Sequence, residues 1–348
     1  MRKQYNKKIT IDDVASRCGV SKSTISNYLN GKYYQFSEET RIRISNVIEE
    51  LGYSPDKSAQ RLKASRTRLI GCIIANVGSP FSDLLLKGIT SVCERANYQV
   101  LFVDCNEDPA CEVRALDSFL KSRVDGLIVN TTGENDSILL SIRESGTPVV
   151  LADRELLSSD DIDVVTHNNR ETAYNCVKFL KECGYERIAF FTSGNKRVSP
   201  RIFRYEGYKQ AIDDFFPGSE YEYYEFDRED EVACVRHMES FRNKYPGKRI
   251  AILTANGRTT LRLVFASVRA GYNWGENFGL CSFDDWDWMR LFIPRITSVQ
   301  VPSLMIGEKA AELLLSYIED GSTYPCKPQH IEVPGFITVR ETTVKKES

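Results

Sequence analysis

Lys22, Ser23, Ser26, Asn27 and Asn30 fall on one side of a helix in the stretch GVSKSTISNYLNGK, residues 19–32. Surface helices ordinarily turn glutamate and lysine outward, for solubility and for pairing one turn apart. This face carries one cation and otherwise short hydrogen-bonding groups. Such groups suit the edges of nucleic-acid bases. Asn27 has the donor and acceptor to pair bidentately with adenine, and Lys22 can reach a guanine or a phosphate. Thr24, on the neighbouring side with Ile25, Tyr28 and Leu29, is counted with them as a candidate DNA contact. That second side is apolar enough to bury.

A face of this kind reads bases only if neighbouring elements hold its helix rigidly. TIDDVASRC puts Ile11, Val14, Ala15 and Cys18 at helical spacing behind Thr10, a natural N-cap. Gly19 breaks that helix and Ser21 caps the next. A third helix, SEETRIRISNVIEELG, starts at Ser37 and stops at Gly52, with Ile44, Val47, Ile48 and Leu51 as its core stripe. The small Ala15 lets the second helix approach, and Val14 meets Ile25 across the crossing. Helix, glycine turn and helix make a helix-turn-helix plan, with the polar face free for the major groove. Charge agrees: residues 1–68 hold 14 Lys/Arg against 7 Asp/Glu, whereas the rest of the chain holds 32 against 41. A basic head on an acidic body suits a polyanion at one end only.

From Leu69 onward short apolar runs alternate with helical stretches. The runs are LIGCIIA (69–75), QVLFVD (99–104), DGLIVN (125–130), PVVLAD (148–153), RIAFFT (187–192), RIAILT (249–254) and NFGLCSF (277–283). Near-continuous apolar strands separated by helices predict parallel sheets covered on both faces. So many strands exceed one compact sheet and predict two α/β lobes with a cleft between them for a small ligand. The fold class is therefore α/β, with an all-α head. The boundaries read as a head over 1–54, a basic linker over 55–68, a two-lobed body over 69–340 and a tail over 341–348.

Composition narrows the function. The chain has 348 residues, 42% hydrophobic and 27% charged, and no run of about 18 apolar residues, so no membrane span is expected. The basic N-terminus lacks the apolar core of a signal peptide, which predicts a cytoplasmic protein. Ten scattered cysteines form no CxxC pair and the three histidines do not alternate with them at zinc spacing; reduced thiols, and no metal or other cofactor, are expected. No GxGxxG follows the first strand, and neither GxxxxGK[ST] nor GxSxG occurs, which argues against an enzyme. A transport-linked binding protein would share the body but not the basic head.

TIDDVASRCGVSKSTISNYLNG, followed by SEETRIRISNVIEELGYSPDKSAQRLK, resembles the DNA-binding head of the lactose-repressor (LacI/GalR) family of bacterial regulators. The resemblance covers nearly the whole chain. It implies that GYSPDKSAQRLKA forms a hinge helix that folds in the operator minor groove, with Leu62 as the wedge, Ala59 at the helix–helix contact and Lys63 beside them. The body then resembles the family's periplasmic sugar-binding fold. In SPFSDLLLKGI the resemblance implies ligand contacts from Ser79 and Phe81. LADR supplies Asp153, RYEGY Arg204, TAN Asn256 and SFDD Asp284, with Phe81 and Trp286 as covers for a sugar ring. Together these imply a homodimeric regulator that binds a near-palindromic operator on double-stranded DNA under control of a small carbohydrate or sugar-acid effector. Dimer surfaces near helices 80–96 and 108–121 are implied, and the absence of a leucine heptad tail predicts no tail-driven tetramer.

Departures from the family pattern carry information. Asn27 stands where arginine or histidine is frequent, and Phe36 where valine is usual. Asn256-Gly257 replaces a common Asn-Asp, and Arg258 follows. With Arg154, Arg201 and Arg204, Arg258 gives an excess of guanidinium groups that suits an anionic ligand such as a sugar acid. The FDDWDW run (283–288) looks like the subgroup that includes ketodeoxygluconate-type regulators.

Overall fold

The first helix begins at Thr10, whose side chain accepts from the Asp13 amide while Asp13 reaches back to the Thr10 amide at 2.8 Å, a reciprocal cap. In this computed structural model, which describes residues 9–29, 33–53, 66–193, 198–227, 230–319, 324 and 326–344, α1 spans Ile11–Cys18 and ends at Gly19 in the left-handed region, φ 66°. α2 follows over Lys22–Leu29, with the Thr24 amide donating to Ser21 Oγ at 3.1 Å. A 3₁₀ turn, Tyr33–Gln35, leads to α3 over Glu38–Glu50, capped by Ser37. Val14, Ala15, Cys18, Ile25 and Ile44 form the core of this unit, with Tyr28, Val47, Ile48 and Leu51 packed around them. The three expected helices, their caps and their apolar stripes are all present.

Met1–Thr67 and Arg68–Ser348 are separate units. The second contains two six-stranded sheets. One has β1 (Leu69–Ile74), β2 (Gln99–Asp104), β3 (Gly126–Asn130), β4 (Val149–Ala152), β5 (Asp163–His167) and β11 (His330–Val333), in the order β11-β5-β4-β3-β1-β2. The other has β6 (Arg187–Ser193), β7 (Glu222–Phe226), β8 (Ile250–Thr254), β9 (Gly279–Phe283), β10 (Thr297–Gln300) and β12 (Phe336–Thr338), in the order β12-β10-β9-β8-β6-β7. The order is the same in both lobes, and only β12 runs antiparallel to its neighbour. Every residue of β1 is buried, as a strand covered on both faces must be.

Helices α4 (Pro80–Arg95), α5 (Pro109–Lys121) and α6 (Asp136–Glu144) serve the first lobe. α7 (Asn169–Glu182), α8 (Ser199–Phe215), α9 (Glu231–Lys244), α10 (Gly257–Ala270) and the short α11 (Asp287–Leu291) serve the second. The chain crosses between lobes three times: from β5 into α7, from β10 into α12 (Ser303–Glu319), and from β11 to β12. α12 returns to pack on α4 at backbone contact. A Cβ on Gly88 would stand 2.2 Å from the Leu304 carbonyl oxygen, and one on Gly307 the same distance from that of Leu85.

Two expectations need correction. β2 is not covered on both faces; it is an edge strand, leaving Leu101 and Phe102 exposed. The seven apolar runs also missed β5, β7, β10, β11 and β12. β7 reads EYYEF and β10 reads TSVQ, so neither shows a continuous apolar run. Among the described residues no helix is long and apolar enough to cross a membrane, and no cluster of side chains has the makings of a metal site.

Candidate functional site

Parallel α/β sheets expose polar residues where the chain leaves the carboxyl end of a strand, and two facing lobes bring two such rims together. Here the rims enclose a cavity lined by polar and aromatic side chains of both lobes. Ser79, Phe81, Asp153, Arg204, Asn256, Asp284 and Trp286 all line it. Asn76, Glu107 and Asn130 line it as well. These three were missed by sequence reasoning, although each lies at or just beyond a strand's carboxyl end, a position that marks them from the sequence.

Asp153 and Asp284 occupy equivalent places, one residue past β4 and one past β9. Each adopts a left-handed backbone, φ 70° and 69°, and each is 7% exposed. Aspartate tolerates this region better than most residues, and strain of this kind concentrates at functional sites. Asn130 Nδ2 donates to Asp153 at 3.3 Å, and the Gly257 amide donates to Asp284 at 2.9 Å. Ser79 and Asn256 also cap α4 and α10, Ser79 accepting from the Ser82 amide and Asn256 from that of Thr259.

Arg204 lies between the aspartates electrostatically and is 4% exposed. Its Nε donates to Asn169 Oδ1 at 2.7 Å and its Nη1 to the Ala255 carbonyl at 2.6 Å, with the guanidinium 4.2 Å above the Phe283 ring. Burial lowers its pKa, an effect opposed by Asp284 and Asp153. Arg154 is spent differently, pairing with Glu107 at 3.0 Å in a largely buried bridge. Arg258 reaches from the second lobe to the first, its Nη2 donating to Asn76 Oδ1 at 2.7 Å. There it fits against Gly78, where a Cβ would come within 2.8 Å of the guanidinium.

Burial pushes the Asp153 carboxyl up to about 6, with Arg204 and Arg154 opposing the rise and Asp284 adding to it. The sign matters. A folded-state pKa above the unfolded one means that folding favours the protonated form, so this group's stabilising contribution is fully present at acid pH and is lost as pH rises through about 6. A polyhydroxylated ligand held by this carboxylate would run the other way, because the ionised form offers both oxygens as acceptors. Effector affinity is therefore expected to fall as pH drops below about 6 without unfolding of the body, and Asp153→Asn should flatten that dependence. Calorimetric titrations between about pH 5 and pH 8 measure it. Affinity that does not change over this range would remove Asp153 from the ligand contacts.

On the head, Lys22 Nζ lies 2.7 Å from Asp12 in an exposed pair that costs little to exchange for a phosphate. Ser23 and Thr24 hydroxyls cluster on Ser21 Oγ at 2.7 and 2.8 Å. Ser26 and Asn27 are half-buried on α2, and Asn27 Nδ2 donates to Gln35 Oε1 at 3.0 Å. Asn30, Ala59, Leu62 and Lys63 lie outside the described residues.

Residues 10–56 match the family model described as bacterial regulatory proteins, lacI family, and residues 67–337 match that of periplasmic binding proteins and sugar binding domain of LacI family. The HTH-type transcriptional regulator KdgR of Bacillus subtilis is 32% identical over 98% of this chain and 100% of its own. The HTH-type transcriptional regulator PtxS of Pseudomonas putida is 32% identical over 90% of this chain and 91% of its own. Among solved structures, the lac repressor dimer bound to operator and the anti-inducer ONPF superposes with a TM-score of 0.80 at 23% identity, covering 97% of this chain and 100% of that one. At that identity the likeness speaks for the fold.

Proposed function

We infer the following from the premise that the chain belongs to the LacI family of bacterial regulatory proteins: it is a DNA-binding transcriptional regulator whose operator affinity answers to a small ligand held between the lobes. The observation that carries the ligand reading is the convergence of Asp153, Asp284 and Arg204 on one cavity between the lobes. Carboxylates and amides at strand ends bridge neighbouring hydroxyls, while Phe81 and Trp286 supply apolar faces for a ring. Charge refines the class. Of the described lining residues four are guanidinium groups and three are carboxylates, and Arg154 and Glu107 cancel each other. Arg201, Arg204 and Arg258 line the same cavity, guanidinium groups of the kind that recognise the carboxylate of a sugar acid.

The head presents Lys22, Ser23, Thr24, Ser26 and Asn27 to the major groove, and Asn30 is counted with them on the sequence alone. Ala59, Leu62 and Lys63 act in the minor groove when the linker folds on DNA. A homodimer suits this plan. Leu84 on α4, Leu101 and Phe102 on β2 and Leu120 on α5 are exposed on the first lobe and offer an apolar surface for a second copy. The protein works in the cytoplasm, beside the chromosome, and performs no catalysis.

One experiment tests this reading. Full-length protein is used to select binding sites from a random DNA pool, and the selected site is titrated in the presence of D-glucose, D-gluconate and 2-keto-3-deoxygluconate. A near-palindromic site released or tightened by a sugar acid and not by glucose is the expected result. Selection of no sequence removes the regulator reading, and a response to glucose alone removes the sugar-acid class.

A further inference from the structure

Asn27 and Phe36, the head's two departures from the family pattern, belong to one arrangement. Phe36 and Tyr33 both pack on Tyr28 of α2, with ring centroids 6.4 and 5.3 Å away, and Arg41 of α3 covers Tyr33 at 4.9 Å. These contacts dock the Tyr33–Gln35 turn against the reading helix. Docked there, Gln35 meets Asn27, whose Nδ2 donates to Gln35 Oε1 at 3.0 Å. Gln35 Nε2 in turn donates to the Tyr34 hydroxyl at 3.3 Å. Gln35 is exposed and Tyr34 is 83% exposed, so this chain of polar groups lies on the surface beside α2.

We propose that Gln35 is a specificity-determining positioning residue, which holds the Asn27 amide in one orientation for a single base. The proposal rests on the DNA-binding reading above. An asparagine amide carries two N–H donors and one carbonyl in a common plane. One N–H goes to Gln35. The other N–H and the carbonyl remain as an adjacent pair, the complement of adenine N7 and N6. Turning the amide over would set Asn27 Oδ1 against Gln35 Oε1, two acceptors face to face. With Gln35 Oε1 facing Asn27, as it does here, the donor–acceptor order of the asparagine is set before DNA arrives. An arginine at this position would bring its own rigid fork. A short asparagine gains that rigidity from a neighbour instead, as preorganised sites generally do.

The test uses the full-length chain and the site it selects from randomised half-sites, with every single-base variant measured. Asn27→Ala and Gln35→Leu are both expected to lose discrimination at the same pair of symmetry-related positions, by about tenfold. The other positions should keep their preferences, and the double variant should be no worse there than Asn27→Ala alone. Gln35→Glu keeps an acceptor opposite Asn27 Nδ2, so the preferred base should stay the same while affinity for all sequences falls from the added negative charge. The substitutions at Gln35 are on the surface and leave the core around Val14, Ile25 and Ile44 untouched. Three results overturn the proposal: an unchanged profile for Gln35→Leu, a loss at a different position (Gln35 reads its own base), or a uniform weakening (a phosphate contact). A wild-type chain that selects no sequence overturns the DNA-binding reading itself, and this proposal with it.

Discussion

Replacing Arg204 with alanine is expected to abolish the effector response and to destabilise the body by about 3 kcal/mol. The two losses have one origin. The guanidinium is 4% exposed and serves Asn169 and the Ala255 carbonyl while lying over Phe283. Alanine would leave two buried oxygens without this donor and would take the nearby cation from Asp153 and Asp284. Urea unfolding measures the first loss, and titration of operator binding with the sugar acid measures the second. Arg204→Lys separates them. It keeps the positive charge but lacks the planar fork and the stacking face, so most of the stability should return while the response stays lost. A normal response from the folded alanine variant would take Arg204 out of the ligand site.

Gly257→Asp, which restores the common family residue, is expected to damage the site. A Cβ at Gly257 would fall 2.7 Å from Trp286 Cε2 and 2.8 Å from its Cζ2, so the indole already fills the space that a side chain there needs. Overpacking of this kind costs about 1–3 kcal/mol. Displacing Trp286 also shifts the Gly257 amide that holds Asp284. The expected outcome is a less stable body that no longer answers to its effector. Adding Trp286→Ala should recover stability relative to the single variant, because the second change makes the missing room. Equal stability of Gly257→Asp and the parent in urea would show that the indole is not the reason for the glycine.

Periodicity and caps made much of this architecture legible. Thr10, Gly19, Ser21 and Ser37 mark the helices of the head by chemistry that acts over three or four residues. Val14, Ile25 and Ile44 reveal its core by spacing alone. LIGCIIA and its counterparts give the central strands because burial on both faces leaves no room for polar residues. Strands outside that rule were read less well: β2 was found, but its solvated edge was not, β7 at the other sheet's edge was missed, and inner β10 was missed because it carries Thr297 and Ser298, whose hydroxyls bond to groups distant in sequence. In the cleft it was the family resemblance of LADR, TAN and SFDD that nominated Asp153, Asn256 and Asp284, and all three line the cavity just past the ends of their strands. The pairing of Arg154 with Glu107 spans 47 residues and left no trace in local sequence, so the count of cationic groups needed the fold before it could be read. The contact between Asn27 and Gln35 escaped because Gln35 lies in a turn that follows neither helical nor strand periodicity.

The three passages of the chain between the lobes act as a mechanical linkage. Two bodies joined by one tether can tumble in every direction, whereas three connections remove most of those freedoms and leave a narrow path of opening and closing. A contact made across the cleft, such as the Arg258–Asn76 hydrogen bond, then favours one end of that path, and a ligand would shift the balance only by its differential affinity for the two ends. The α12–α4 contact at Gly88 and Gly307 stiffens one end of the linkage: with backbone against backbone, the returning segment carries a displacement into the first lobe instead of absorbing it in side-chain rearrangement.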